Sequence, residues 1–132
     1  MLYTILCYHD EKVVYSWSRD EDAAVMGRLA EVQTRLTASG KMGASLRLMP
    51  TTAATSLRKS GEAPVIVDGP FAETKEQLLG FYIIEVASLE EALEIAHDLA
   101  ACNPGGTYEL RPVALFNPDR RGDGLPAVAA AP

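Results

Sequence analysis

The sequence predicts an α+β fold of the ferredoxin-like sandwich type: an antiparallel sheet with two helices on one face and an inserted hairpin. Three observations predict it. Apolar segments with the two-residue period of strands alternate with two segments of helical period, in the order strand, helix, strand plus hairpin, strand, helix, strand. Each helix carries a single apolar stripe, so one layer of helices laid on one sheet uses all of that apolar surface. The chain has 132 residues, 48% of them hydrophobic and 23% charged. That is globular composition, large enough for one core without disulfides or metal, and it predicts one domain over residues 1 to 118.

Leu2 to Tyr8 is apolar on both faces, with Leu2, Thr4, Leu6 and Tyr8 on one side and Tyr3, Ile5, Cys7 and His9 on the other. This pattern predicts a central strand covered on both sides. Asp10 to Trp17 reads as a loop. Ser18 and Glu21 form a capping box, and Val25, Leu29, Val32 and Leu36 then recur on one stripe until Gly40, which predicts a helix over 19 to 39. Ala44 to Met49 reads as a short strand. Residues 54 to 58 and 64 to 67 read as hairpin arms around Ser60-Gly61-Glu62.

Gly80 to Val86 predicts the second central strand, with Phe81, Ile83 and Glu85 facing one way and Tyr82, Ile84 and Val86 the other. Ser88 and Glu91 open a second helix with a stripe of Leu89, Ala92, Leu93, Ala96, Leu99 and Ala100, ended by Asn103-Pro104-Gly105-Gly106. Thr107 to Phe116 is the last strand, and Pro112 places it at an edge because proline cannot donate to a ladder. Asp119 to Pro132 has no periodicity and predicts a frayed tail. With both helices on one sheet face, the apolar residues of the other face predict a homodimer packed sheet on sheet.

The net charge of −6 opposes nucleic-acid binding. No apolar run is long enough to span a bilayer, and the N-terminal MLYTILCYHD lacks the pattern of a secretory leader, so the expected address is cytoplasmic. Cys7 and Cys102 form neither a redox motif nor a zinc spacing. No nucleophile motif, phosphate loop or dinucleotide fingerprint occurs, and no metal or other cofactor is implied.

The stretch around which the chain is organised is Val65 to Glu85, VIVDGPFAETKEQLLGFYIIE: two apolar runs joined by a polar elbow. Its DGPFAETKE string, with the opening LYTILCYHDE and the closing YELRPVALF, resembles the YCII-related superfamily, specifically its DGPF branch, over about residues 1 to 116. The resemblance implies a ferredoxin-like fold that pairs into a dimeric α/β barrel, with a cleft between sheet and loops. Similar barrels include small monooxygenases and dehalogenating or isomerising enzymes, although fold alone does not carry function. Relatives in the wider superfamily carry a histidine on the first helix paired with an aspartate at the position resembling Asp68. Here that helix reads AAVMGRLAEVQTRL and has no histidine. The DGPF branch is also associated with extracytoplasmic-function sigma factors, which implies a regulatory partner as the alternative to catalysis.

Asp68 therefore reads either as a general base or as the residue that starts the Gly69-Pro70 corner. His9, at the end of the first strand, is the histidine placed to substitute for the missing partner, or else a plain strand-end residue. Glu73, Thr74 and Lys75 offer a carboxylate, a hydroxyl and an ammonium to a small polar organic molecule; Thr74 to Gln77 also fits a capping box for a short helical turn. The Tyr82 hydroxyl reads as core or as a ligand-orienting group. Glu85, charged in an apolar strand, is expected to pair with Arg111 or Arg47. His97 belongs to the solvent side of its helix.

Overall fold

The computed structural model describes residues 1–118; the tail expected from Asp119 onward lies outside the described residues. Strand β1 (Leu2–His9) is followed by a short helix α1 (Glu11–Val14), a long helix α2 (Arg19–Ala38) and strand β2 (Met42–Arg47). A 3-10 turn (Thr51–Ala53) leads into a hairpin of β3 (Thr55–Arg58) and β4 (Val65–Asp68). Strand β5 (Gln77–Glu85), helix α3 (Leu89–Cys102) and strand β6 (Thr107–Pro112) complete the chain. The main sheet has the order β2-β5-β1-β6 with every pairing antiparallel, and β3-β4 form a separate two-stranded sheet. This is the ferredoxin-like arrangement expected, with β1 and β5 central and the proline-bearing β6 at an edge.

The helix ends follow the sequence signals. Ser18 Oγ accepts from Glu21 N–H at 3.0 Å and Ser88 Oγ from Glu91 N–H at 3.2 Å, satisfying amides that each helix start leaves without an intrahelical partner. Gly40, at φ 74°, closes α2 in a Schellman turn: its N–H donates to Thr37 O and that of Lys41 to Leu36 O.

Both α2 and α3 lie on the face presented by Tyr3, Ile5, Tyr82 and Ile84, against which Val25, Leu29 and Leu36 of α2 and Ala92, Ile95, Ala96 and Leu99 of α3 are buried. Some features differ from expectation, and β6 ends at Pro112 rather than at Phe116. The expected loop after β1 contains α1, capped by Asp10, whose carboxylate accepts from Lys12 N–H at 3.0 Å. On α3 it is Ile95 rather than Leu93 that enters the core, since Ala92 and Ala96 let the helix lie close to the sheet while Leu93 borders the groove beside β6. Glu85 is exposed and pairs with the Met1 ammonium at 3.2 Å, so the strand carries no buried charge; Arg111 pairs with Glu109 and Arg47 with Asp22.

Ile84→Ala, which empties a fully buried site at the sheet centre, is expected to lower unfolding free energy by about 2–5 kcal/mol in urea titrations. Gly40→Ala is expected to cost about 1–2 kcal/mol in the same assay, through the left-handed backbone that the turn requires.

Candidate functional site

The elbow between β4 and β5 is built by hydrogen bonds from distant parts of the chain. Gly69, at φ 103°, turns the corner; its N–H donates to Ala54 O at 2.8 Å and its carbonyl accepts from Ser56 Oγ at 2.7 Å. Arg58 then donates to Phe71 O at 3.0 Å. The helical turn expected over Thr74 to Gln77 is absent, because Thr74 Oγ1 donates to Glu76 O and Gln77 Nε2 to Thr74 O, which leads the chain directly into β5. A side-chain hydroxyl that satisfies a nearby carbonyl competes with helix formation.

The other side of Gln77 ties the elbow to the start of α1. Its Oε1 accepts from Glu11 N–H at 3.0 Å, while the Glu11 carboxylate accepts from both the N–H and the hydroxyl of Thr51. Three separated segments therefore enclose one polar cleft of about 310 Å³, bordered by Asp10 to Lys12, by Thr51, and by Pro70, Ala72 to Lys75 and Gln77. Asp10 and Glu11 are committed to the hydrogen bonds already described. The side chains of Lys12, Glu73 and Lys75 line the cleft without a hydrogen bond or ion pair among the described residues.

Glu73, Thr74 and Lys75 thus come together as the sequence suggests. The Asp68 carboxylate lies at the exposed end of β4, where Asp68 pairs with Thr55, and no hydrogen bond or ion pair joins it to His9. His9 stands edge-on to Trp17, with ring centroids 6.4 Å apart at 86°. Above it is the Gly105-Gly106 turn, where a Cβ at position 105 would lie 2.7 Å from His9 Nε2. The Nδ1 of His9 is buried without a hydrogen-bond partner.

Tyr82 belongs to another cavity, which sequence reasoning did not find. Register places Arg47, Gly80, Cys7 and Tyr108 in one row across the helix-facing surface, and Ser45, Tyr82, Ile5 and Leu110 in the next. The small side chains of Cys7, Gly80 and Ser45 leave a depression beneath α2, enclosing about 300 Å³. Gly80 is required there, since a Cβ would fall 2.1 Å from the Leu46 carbonyl oxygen of β2. The signal was a set of small residues on three strands, visible only once the register is known.

Burial governs the ionisable groups of this region. It lifts the Cys7 thiol from 9.0 to about 12 and, with Cys7 nearby as a lesser cause, the Tyr108 phenol from 10.0 to about 12. Tyr82 is also raised, by burial first and then by Tyr108 and Cys7, with Gln33 opposing. All three stay neutral at physiological pH, so Cys7 is a packed thiol rather than a nucleophile.

With this geometry in place, comparison with known proteins gives two findings. The model of the YCII-related domain matches residues 1–117. An uncharacterized protein of Rhizobium meliloti (strain 1021), R00369, is 56% identical over 119 residues, which covers 89% of this chain and 96% of that protein.

Because Cys7 and Tyr108 hold their protons longer in the folded chain than in the unfolded one, their contribution to stability is complete below about pH 9 and falls as pH rises toward 12. Urea midpoints at about pH 8 and about pH 10.5 should show that loss. The loss should be smaller in Cys7→Ala and in Tyr108→Phe.

Proposed function

This chain belongs to the YCII-related domain family, and on that footing we propose that it binds a small polar organic molecule in the elbow cleft, without proton transfer by an Asp68–His9 pair. One observation carries the reading: Glu73, Thr74 and Lys75 converge on a polar cleft, while no hydrogen bond or ion pair joins the two candidate acid–base groups. Lys12 and Lys75 suit an anionic group, either carboxylate or phosphate, and Glu73 suits a hydrogen-bond donor on the same molecule. The network through Glu11, Thr51 and Gln77 holds the walls in place before the ligand arrives, which lowers the ordering cost of binding. The DGPFAETKE string supports the DGPF branch of the family.

The assembly proposed is a cytoplasmic homodimer. Leu6, Phe81 and Ile83 face away from the helices and are only half-covered, and Leu46 and Leu48 beside them are exposed. A second copy laid on this face would remove that apolar area from water. Two unpaired cysteines suit a reducing compartment. A second reading, partnership with an extracytoplasmic-function sigma factor, has its support in the hairpin, where Ile66 is 73% exposed and Phe71 beyond it 76%.

A thermal-shift screen against small carboxylates, amino acids and phosphate esters tests the leading reading. A ligand at 100 times its dissociation constant should add about 2.7 kcal/mol of stability. Calorimetry on a hit should show binding weakened about tenfold or more in the Lys12→Ala/Lys75→Ala double variant, since charge-assisted hydrogen bonds are lost. Binding should be little changed in Asp68→Asn. A screen without hits would shift the weight to the protein partner, and turnover abolished in Asp68→Asn would restore the acid–base reading.

A further inference from the structure

The cavity beneath α2 differs in chemistry from the elbow cleft and shares no lining residue with it. Its floor is the small-residue patch of Cys7, Ser45 and Gly80, and its wall is Trp17, Val25, Met26 and Leu29. Apolar walls around a concavity near 300 Å³, with a few polar groups among them, are the usual makeup of a small-molecule site. That size is at the lower end of the range and fits one or two fused rings.

Two features restrict what can enter. The charged residues lining the cavity are Asp22 and Arg47, and they pair with each other at 3.2 Å. Arg47 also stands 6.0 Å from the centre of the Tyr15 ring. Their charges cancel locally, so a charged ligand would lose hydration without gaining a free counter-charge. The second feature is Asn103, which stands between this cavity and the groove beside β6; its Oδ1 is buried with no hydrogen-bond partner, while its Nδ2 donates to Tyr108 Oη at 3.5 Å. A buried acceptor without a donor is costly, and a ligand that supplies the donor removes the cost.

We propose that this cavity is a second ligand site, which takes a neutral, largely apolar ring compound bearing one hydrogen-bond donor, read by Asn103 Oδ1. The apolar rings lie against Trp17, Val25 and Leu29 over the floor of small side chains. The donor faces Asn103. The Asp22–Arg47 pair stays closed on itself and discriminates against carboxylates. This site stands independently of the elbow cleft.

Trp17 is the chain's single tryptophan and lies in the cavity wall, so its indole N–H signal reports occupancy directly. The experiment titrates ¹⁵N-labelled full-length protein with three probes: 2-naphthol, its methyl ether, which has no donor, and 2-naphthoate, which is charged. 2-Naphthol should shift the Trp17 signal saturably. The methyl ether should bind about 3- to 10-fold more weakly, as expected for one neutral hydrogen bond, and the naphthoate should also be weaker. Asn103→Leu should bring 2-naphthol and its ether to equal affinity. Ser45→Phe, which fills the floor from an edge strand, should abolish saturation while the spectrum keeps its dispersion. The Lys12→Ala/Lys75→Ala variant should bind 2-naphthol unchanged, so failure of the elbow reading would leave this one standing. No saturable shift, equal binding of the ether by the unmodified protein, preferred binding of the naphthoate, or binding that survives Ser45→Phe would each overturn the proposal.

Discussion

The structure depends on one packing constraint: both long helices are confined to the same face of a four-stranded antiparallel sheet. Ile5, Ile84 and Leu99 are buried to completion where sheet and helices meet, and this contact fixes which side of every strand is inside. Because strand side chains alternate, a one-residue slip of β1 against β5 would turn Tyr3 and Ile5 outward together while Ile84 stayed inside. The same constraint leaves Leu6, Phe81 and Ile83 of the opposite face only half-covered by the described residues. It also makes the cavity beneath α2, since a helix cannot follow the sheet down where Gly80 and Cys7 in one row and Ser45 in the next carry small side chains.

The polar elbow is held by a different physics. No buried apolar cluster anchors residues 69 to 76; the corner is fixed by main-chain and side-chain hydrogen bonds to Ala54, Ser56, Arg58, Gln77 and Thr107. Groups so fixed are presented rather than buried, which suits binding. Helix α2 carries no histidine, and its Met26 and Leu29 line the apolar cavity beneath it. The His9 ring packs against Trp17 and the Gly105-Gly106 turn, and no hydrogen bond joins it to Asp68.

Local signals were legible where the cause is local. Ser18, Gly40 and Ser88 act on amides and carbonyls within a turn of themselves, so the helix ends could be read directly. The alternation in β1 and β5 likewise marked both central strands. Thr74 to Gln77 misled because the same side chains can cap a helix or satisfy neighbouring carbonyls, and the nearby Glu11 amide gave Gln77 a partner that no local reading includes. Glu85 misled because apolar neighbours in sequence do not imply burial at a strand end.

The sequence by itself determined the fold class, the strand order at the sheet centre, the helix termini and the family, since these rest on periodicity, caps and a long specific string. It also marked Glu73, Thr74 and Lys75 as residues that share a cleft. Tertiary structure alone decided that Lys12 joins them, that Tyr82 serves another cavity, and that Cys7, Ser45 and Gly80 form one floor. Those facts depend on register between strands far apart in the chain. Register is set by the summed burial of whole strands, and no short stretch of sequence contains it.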